Sequence, residues 1–139
     1  MSRFKLLSAG ACALALSACG TPQTYQAAIS GAQQVPPTAS TGTGTMTANY
    51  QPDTRALTYT VEYKDLSGPA TGAHIHAPAG PGATAPIAIP FPNAASPIKG
   101  GVTLTEAQAE QLASGQGYVN IHTAANPNGE IRGQIARVQ

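Results

Sequence analysis

The sequence holds three histidines, His74, His76 and His122, and all three fall in segments that read as β-strands. Along a strand, side chains two residues apart point to the same face. In Ala73-His74-Ile75-His76-Ala77 the two imidazoles therefore project together and Ile75 projects opposite. In Tyr118-Val119-Asn120-Ile121-His122-Thr123, His122 shares its face with Asn120 and Tyr118, while Val119 and Ile121 turn away. Imidazole is a ligand for copper, zinc, nickel and iron, and three protein ligands leave one coordination position open. Two imidazoles on one strand and a third on a neighbour can thus converge on one ion. A plainer reading competes with this one. A histidine in a strand ordinarily serves as a hydrogen-bonded polar residue, and His-x-His lacks the specificity of a longer ligand motif.

Two further residues bear on such a site. Glu130 and Arg132 alternate on one face of the segment Glu130 to Ile135. They form either a surface pair of little energetic weight, or a place where Arg132 steers or clamps a small anion near the histidines. Asn120 either orients a histidine from behind or satisfies the backbone of a loop. Tyr59, Tyr63 and Tyr118 are most simply sheet and core residues. Other chemistries fall away. No Gly-x-Ser-x-Gly is present to build a serine nucleophile. Gly42-Thr43-Gly44 and Gly80-Pro81-Gly82 lack both the lysine and the following helix of a phosphate loop.

The elements that must carry these residues are short strands divided by Gly and Pro. Tyr25 to Ser30, Thr43 to Tyr50 and Ala56 to Lys64 are the first three. Leu57, Tyr59, Val61 and Tyr63 alternate with polar residues, the period of a half-buried strand. After Ser67-Gly68-Pro69 comes the strand of His74 and His76, then an irregular surface loop from Pro78 to Pro86. Ile87 to Phe91 and Gly101 to Leu104 are further short strands. Thr105-Glu106-Ala107-Gln108 fits a capping box opening one helix that runs to about Ser114, with Gly115 as its stop. Asn126-Pro127-Asn128-Gly129 is a turn that makes the last two strands a hairpin. This pattern predicts an all-β, antiparallel β-sandwich or barrel with one short helix.

Composition narrows the field. The chain has 139 residues, 42% of them hydrophobic and only 9% charged, with net charge +1. It is sized for one domain. There is no clustered Lys/Arg footprint for nucleic acid and no run of like charge. At the N-terminus, Arg3 and Lys5 precede an apolar run from Leu6 to Leu16, a secretory signal too short to span a bilayer. Leu16-Ser17-Ala18-Cys19 resembles the bacterial lipobox, which implies lipidation at Cys19 and a membrane anchor. Residues 1–18 are then a lipoprotein signal peptide, and 19–24 a lipidated terminus and tether. Gly20 after the cysteine, by resemblance to Gram-negative lipoproteins, implies delivery to the outer membrane. Removing Arg3, Lys5 and Cys12 takes the net charge to −1 and leaves no second cysteine for a disulfide, so a hydrophobic core must hold the domain together.

Three blocks carry a wider resemblance. Gly72-Ala73-His74-Ile75-His76-Ala77-Pro78-Ala79-Gly80, Tyr118 to Thr123, and Asn126 to Ile135, with Val35-Pro36-Pro37 earlier, resemble the CHRD family, named for the repeated domains of chordin. The likeness covers residues 25–139 and implies extracellular or envelope protein contacts. More distantly, the chain is similar to Cu/Zn superoxide dismutase, which implies a Greek-key β-sandwich. In that likeness His74, His76 and His122 match copper ligands and Arg132 matches an anion-guiding arginine. No fourth histidine bridges to a zinc site, so the most that this sequence furnishes is a mononuclear tris-His site for copper or zinc. Two readings of function follow. One is a non-catalytic binding or structural module of the cell envelope that carries this metal site as a component. The other is a copper-binding protein for sequestration or dismutase-like redox chemistry.

Overall fold

The computed structural model describes residues 20–138. The expected signal peptide and lipidation site at Cys19 lie outside the described residues. Nine strands and one helix follow in order: β1 (Gln23–Ser30), β2 (Thr43–Gln51), β3 (Ala56–Lys64), β4 (Ala70–His76), β5 (Ile87–Pro90), β6 (Ile98–Thr103), α1 (Glu106–Ala113), β7 (Tyr118–Thr123), β8 (Ile131–Gln134) and β9 (Ala136–Arg137).

All strand pairings are antiparallel, in the order β5-β4-β7-β8-β1-β2-β3-β6, with β9 added against β1. The meander β1-β2-β3 has the late strand β8 returned beside β1, which is the Greek-key order. The long curled sheet has two halves, β1-β2-β3-β6 and β5-β4-β7-β8, and β8 meets β1 at one register pair, Ser30 with Arg132.

Alternation along each strand builds a single core. Tyr25 and Ala27 of β1 pair across with Ala48 and Met46 of β2, and those with Tyr59 and Val61 of β3, while Ile29 lies opposite Gly44. In the other half Ala73 and Ile75 meet Ile121 and Val119, and Ile121 meets Ile131. These two apolar faces belong to one hydrophobic cluster. Burying each of the larger apolar side chains contributes about 1.5–3 kcal/mol, and the described residues, which contain no cysteine, are held together by this core.

Most elements lie where the sequence places them, with shifted ends. Helix α1 opens on the expected capping box: Gln108 N donates to Thr105 Oγ1 at 3.2 Å and Thr105 N to Gln108 Oε1 at 2.9 Å. Gly115 adopts φ +72 just past its end. β4 and β6 start three residues earlier than their apolar patterns suggest, because ladder hydrogen bonds accept glycine and polar residues wherever a neighbour strand continues. β9 and a single 3-10 turn at Gly31–Gln33 have no sequence signal of their own.

The β7–β8 turn depends on one glycine. Gly129 adopts φ +121, and a Cβ there would run into the side-chain amides of Asn120 and Gln34. Gly129→Ala is expected to lower stability by about 1–3 kcal/mol. In a urea titration this is a lower midpoint with an unchanged slope.

Candidate metal centre

Cross-strand partners share a face of a sheet. His76 pairs with Tyr118, His74 with Asn120 and Gly72 with His122, so the three histidines lie together on the face of β4-β7-β8 opposite the core. The ladder is irregular on both sides of the pair: register shifts occur between Ala70 and Gly72 against β7, and between Ile75 and His76 against β5. Such bulges re-aim side chains. Gly72, opposite His122, leaves room for the His74 ring, whose Cε1 lies 3.3 Å from where a Cβ at that position would stand.

The rings converge. Their centroids are 5.1 Å apart for His74 and His122, 5.7 Å for His74 and His76, and 6.1 Å for His76 and His122. One nitrogen from each lies within 4.8 Å of the others. The hydrogen bonds identify which nitrogens face inward. His76 Nδ1 lies 2.9 Å from the carbonyl of Ala85, and His122 Nδ1 lies 2.9 Å from the carbonyl of Pro127. A carbonyl only accepts, so each Nδ1 carries a proton, and in the neutral ring the lone pair is then on Nε2. His122 Nε2 sits 3.3 Å from His74 Nδ1. His76 is 8% exposed, and its Nε2 is the one buried side-chain polar atom without a partner among the described residues.

Electrostatics keep these lone pairs available. Burial lowers the His74 pKa, and the neighbouring His122 and His76 lower it further. Burial also lowers His76; the Ala85 carbonyl opposes this, and His122 and Arg132 reinforce it. Both rings are therefore neutral at neutral pH, the form that ligates metal.

The arrangement fits an ion of the zinc or copper type. Two nitrogens 3.3 Å apart, each 2.0–2.1 Å from a shared ion, subtend roughly 104–111° at it, near the tetrahedral value. All three ligand nitrogens lie within 4.8 Å of one another, against roughly 3.4 Å for a tetrahedral pair. Outer hydrogen bonds from ligand N–H groups to backbone carbonyls are the usual support of metal-bound histidine. Ala85 and Pro127 supply them here. Backbone acceptors have no residue-type signature, and so the sequence could not point to them.

Of the remaining candidates, Asn120 takes the second of its two readings, and Glu130 and Arg132 take neither of theirs. Asn120 makes no hydrogen bond to a histidine; its Oδ1 accepts from Gln34 Nε2 at 2.6 Å and its Nδ2 donates to the Asn128 carbonyl at 3.4 Å. Its amide ties loops together. Glu130 and Arg132 are 0% and 2% exposed and do not pair, which corrects the surface-pair reading. Nor does Arg132 lie open to an anion in solution, since its guanidinium is packed on Tyr118 and donates to the carbonyls of Gly80 and Ala83. Tyr118, read as a plain sheet residue, stacks on His76 with centroids 4.9 Å apart and planes 4° from parallel. Its place on the His122 face was the available signal. The Pro78–Pro86 loop is irregular as expected, yet it is strapped across the histidine face rather than free of it.

Together these features define a small antiparallel β-domain with one face given to the core and the other to a tris-imidazole cluster. Residues 25–135 match the CHRD domain family, and the chain belongs to that family. Neither the curated proteins nor the solved structures contain a match to it.

Proposed function

We propose that this protein is a lipid-anchored envelope protein whose CHRD domain is a non-catalytic binding module carrying one metal ion on His74, His76 and His122. The carrying observation is the orphaned, buried Nε2 of His76 in a cluster where one ring nitrogen from each of the three imidazoles lies within 4.8 Å of the others. A buried polar atom without a partner is costly, and a bound ion removes that cost. The donor set is all imidazole nitrogen, which suits copper or zinc, and the divalent affinity order favours copper. The anchor is argued from Leu16-Ser17-Ala18-Cys19, and an outer-membrane address from Gly20.

The test is elemental analysis and calorimetric titration of protein purified without a histidine tag. The expected result is one copper or zinc ion per chain. A metal-free protein with flat titrations for both ions would overturn the metal centre. The open fourth position also keeps copper sequestration or dismutase-like redox chemistry in view as the second reading. Turnover that depends on His122 would favour that reading over the non-catalytic module.

A further inference from the structure

Arg132 is a buried cation, and no carboxylate pairs with it among the described residues. Its charge is met by the loop above the histidine face. Nη1 donates to the Ala83 carbonyl at 2.7 Å, and Nη2 to the Gly80 carbonyl at 3.1 Å and to Gln134 Oε1 at 3.2 Å. Gln134 Nε2 donates in turn to the Ala79 carbonyl at 2.8 Å. The loop is thus held at three successive points before it reaches Ala85. There, the Ala85 carbonyl faces His76 Nδ1, and Ala85 N donates to the Tyr118 hydroxyl at 3.2 Å. The guanidinium carbon lies 3.6 Å from the centroid of the Tyr118 ring, the ring that stacks on His76. Arg132 therefore bears on His76 by two routes, the loop backbone and the tyrosine.

We infer that Arg132 is a positioning residue that sets the tautomer of His76, holding the proton on Nδ1 and the lone pair on Nε2. A free neutral histidine side chain prefers the opposite tautomer, with the proton on Nε2, so the preference must be imposed. The Ala85 carbonyl imposes it, and the planar guanidinium places that carbonyl by bonding two others in the same loop. A lysine ammonium is a point charge that cannot reproduce this fork. The consequence for metal affinity rests on the tris-histidine reading above, but the tautomer is a property of the metal-free protein.

Long-range proton–nitrogen correlation spectra of metal-free, 15N-histidine-labelled protein at about pH 8, above the ordinary imidazole range, test this directly. In the native protein His76 is expected to show a protonated Nδ1 and an unprotonated Nε2. In Arg132→Met its two nitrogens are expected to shift toward each other, as in a mixture of tautomers. His122, held by Pro127, is expected to stay unchanged in the same spectrum, which a general loosening of the fold would not allow. Copper or zinc affinity of Arg132→Met is expected to fall by roughly 10–100-fold, the usual effect of losing an outer support. If Arg132→Met does not fold, Arg132→Lys serves, with a mixed tautomer again expected. A pure Nδ1–H His76 in either folded variant would overturn the inference and leave the metal centre untouched. An Arg132-dependent tautomer in a protein that binds no metal would uphold the inference and overturn the metal centre.

Discussion

Replacing His76 with alanine is expected to weaken copper or zinc binding by well over 100-fold in a calorimetric titration. The size follows from what the side chain contributes. Losing an outer hydrogen-bond partner of a ligand already costs roughly 10–100-fold, and His76→Ala removes a ligand outright. It also removes the most deeply buried of the three rings and the one whose inward nitrogen has no other partner. The two remaining nitrogens, 3.3 Å apart, would bind an ion as an open two-ligand site. A second measurement separates ligation from packing. A ligand at 100 times its Kd stabilises the folded state by about 2.7 kcal/mol, so the native domain should melt higher with metal and His76→Ala should not. Titration curves that coincide for the two proteins would remove the metal centre from consideration.

Substitution at Glu130 is expected to have the largest effect on stability. The carboxylate is fully buried with no cation paired to it among the described residues, and it is held instead by neutral donors from four parts of the chain. Ser40 Oγ and Ser67 N donate to Oε1 at 2.7 and 2.8 Å. Ser67 Oγ and Thr123 Oγ1 donate to Oε2 at 2.5 Å each, and Asn126 Nδ2 to Oε2 at 3.2 Å. The loop before β2, the loop after β3, the end of β7 and the β7–β8 turn are thereby fastened to one point. Glu130→Ala leaves these donors buried without an acceptor, at a cost of about 3–5 kcal/mol. Glu130→Gln keeps the shape but replaces one acceptor oxygen with a donor, at a cost of about 2–3 kcal/mol.

The same cage makes a pH prediction. Burial pushes the Glu130 carboxyl up, but the hydrogen bonds from Ser40, Ser67 and Thr123 outweigh it and hold the pKa down at about 2. A folded-state pKa below the unfolded one means that the unfolded chain takes up the proton first as pH falls. The stabilisation is therefore complete above the ordinary carboxylate pKa of about 4.3 and drains away as pH falls toward about 2. Denaturant midpoints of the native protein and Glu130→Gln should differ by a constant amount from neutral pH to about pH 5 and draw together below about pH 4. A gap that stays constant down to about pH 2 would show that folding leaves the Glu130 pKa unshifted, and one that widens as pH falls would show that the carboxyl is protonated in its cage.

Local pattern was enough to place most of the strands. Leu57, Tyr59 and Val61 alternate with polar residues because one side of β3 packs and the other meets water, and Thr105 with Gln108 forms a self-contained cap. His74 and His76 shared a face by strand geometry alone. The meeting of His122 with that pair was a wager in the sequence, since it needed β7 to lie beside β4 in one register.

Glu130 and Arg132 show where local reading ends. Alternating charges on a strand read as exposed because isolated charges avoid burial, and nothing in their own segment reveals the acceptors and donors that make burial tolerable. Those groups are the hydroxyls of Ser40 and Ser67 and the carbonyls of Gly80 and Ala83, all distant in the chain. The sequence by itself determined the family, the antiparallel sheet and the identity of the three imidazoles, because each is written in residue type and spacing. Only the tertiary structure decided which ring nitrogens face one another and which charges lie inside. The first is settled by backbone carbonyls, whose chemistry is the same at every position, and the second by carbonyls and side-chain donors from distant segments that only the fold brings together.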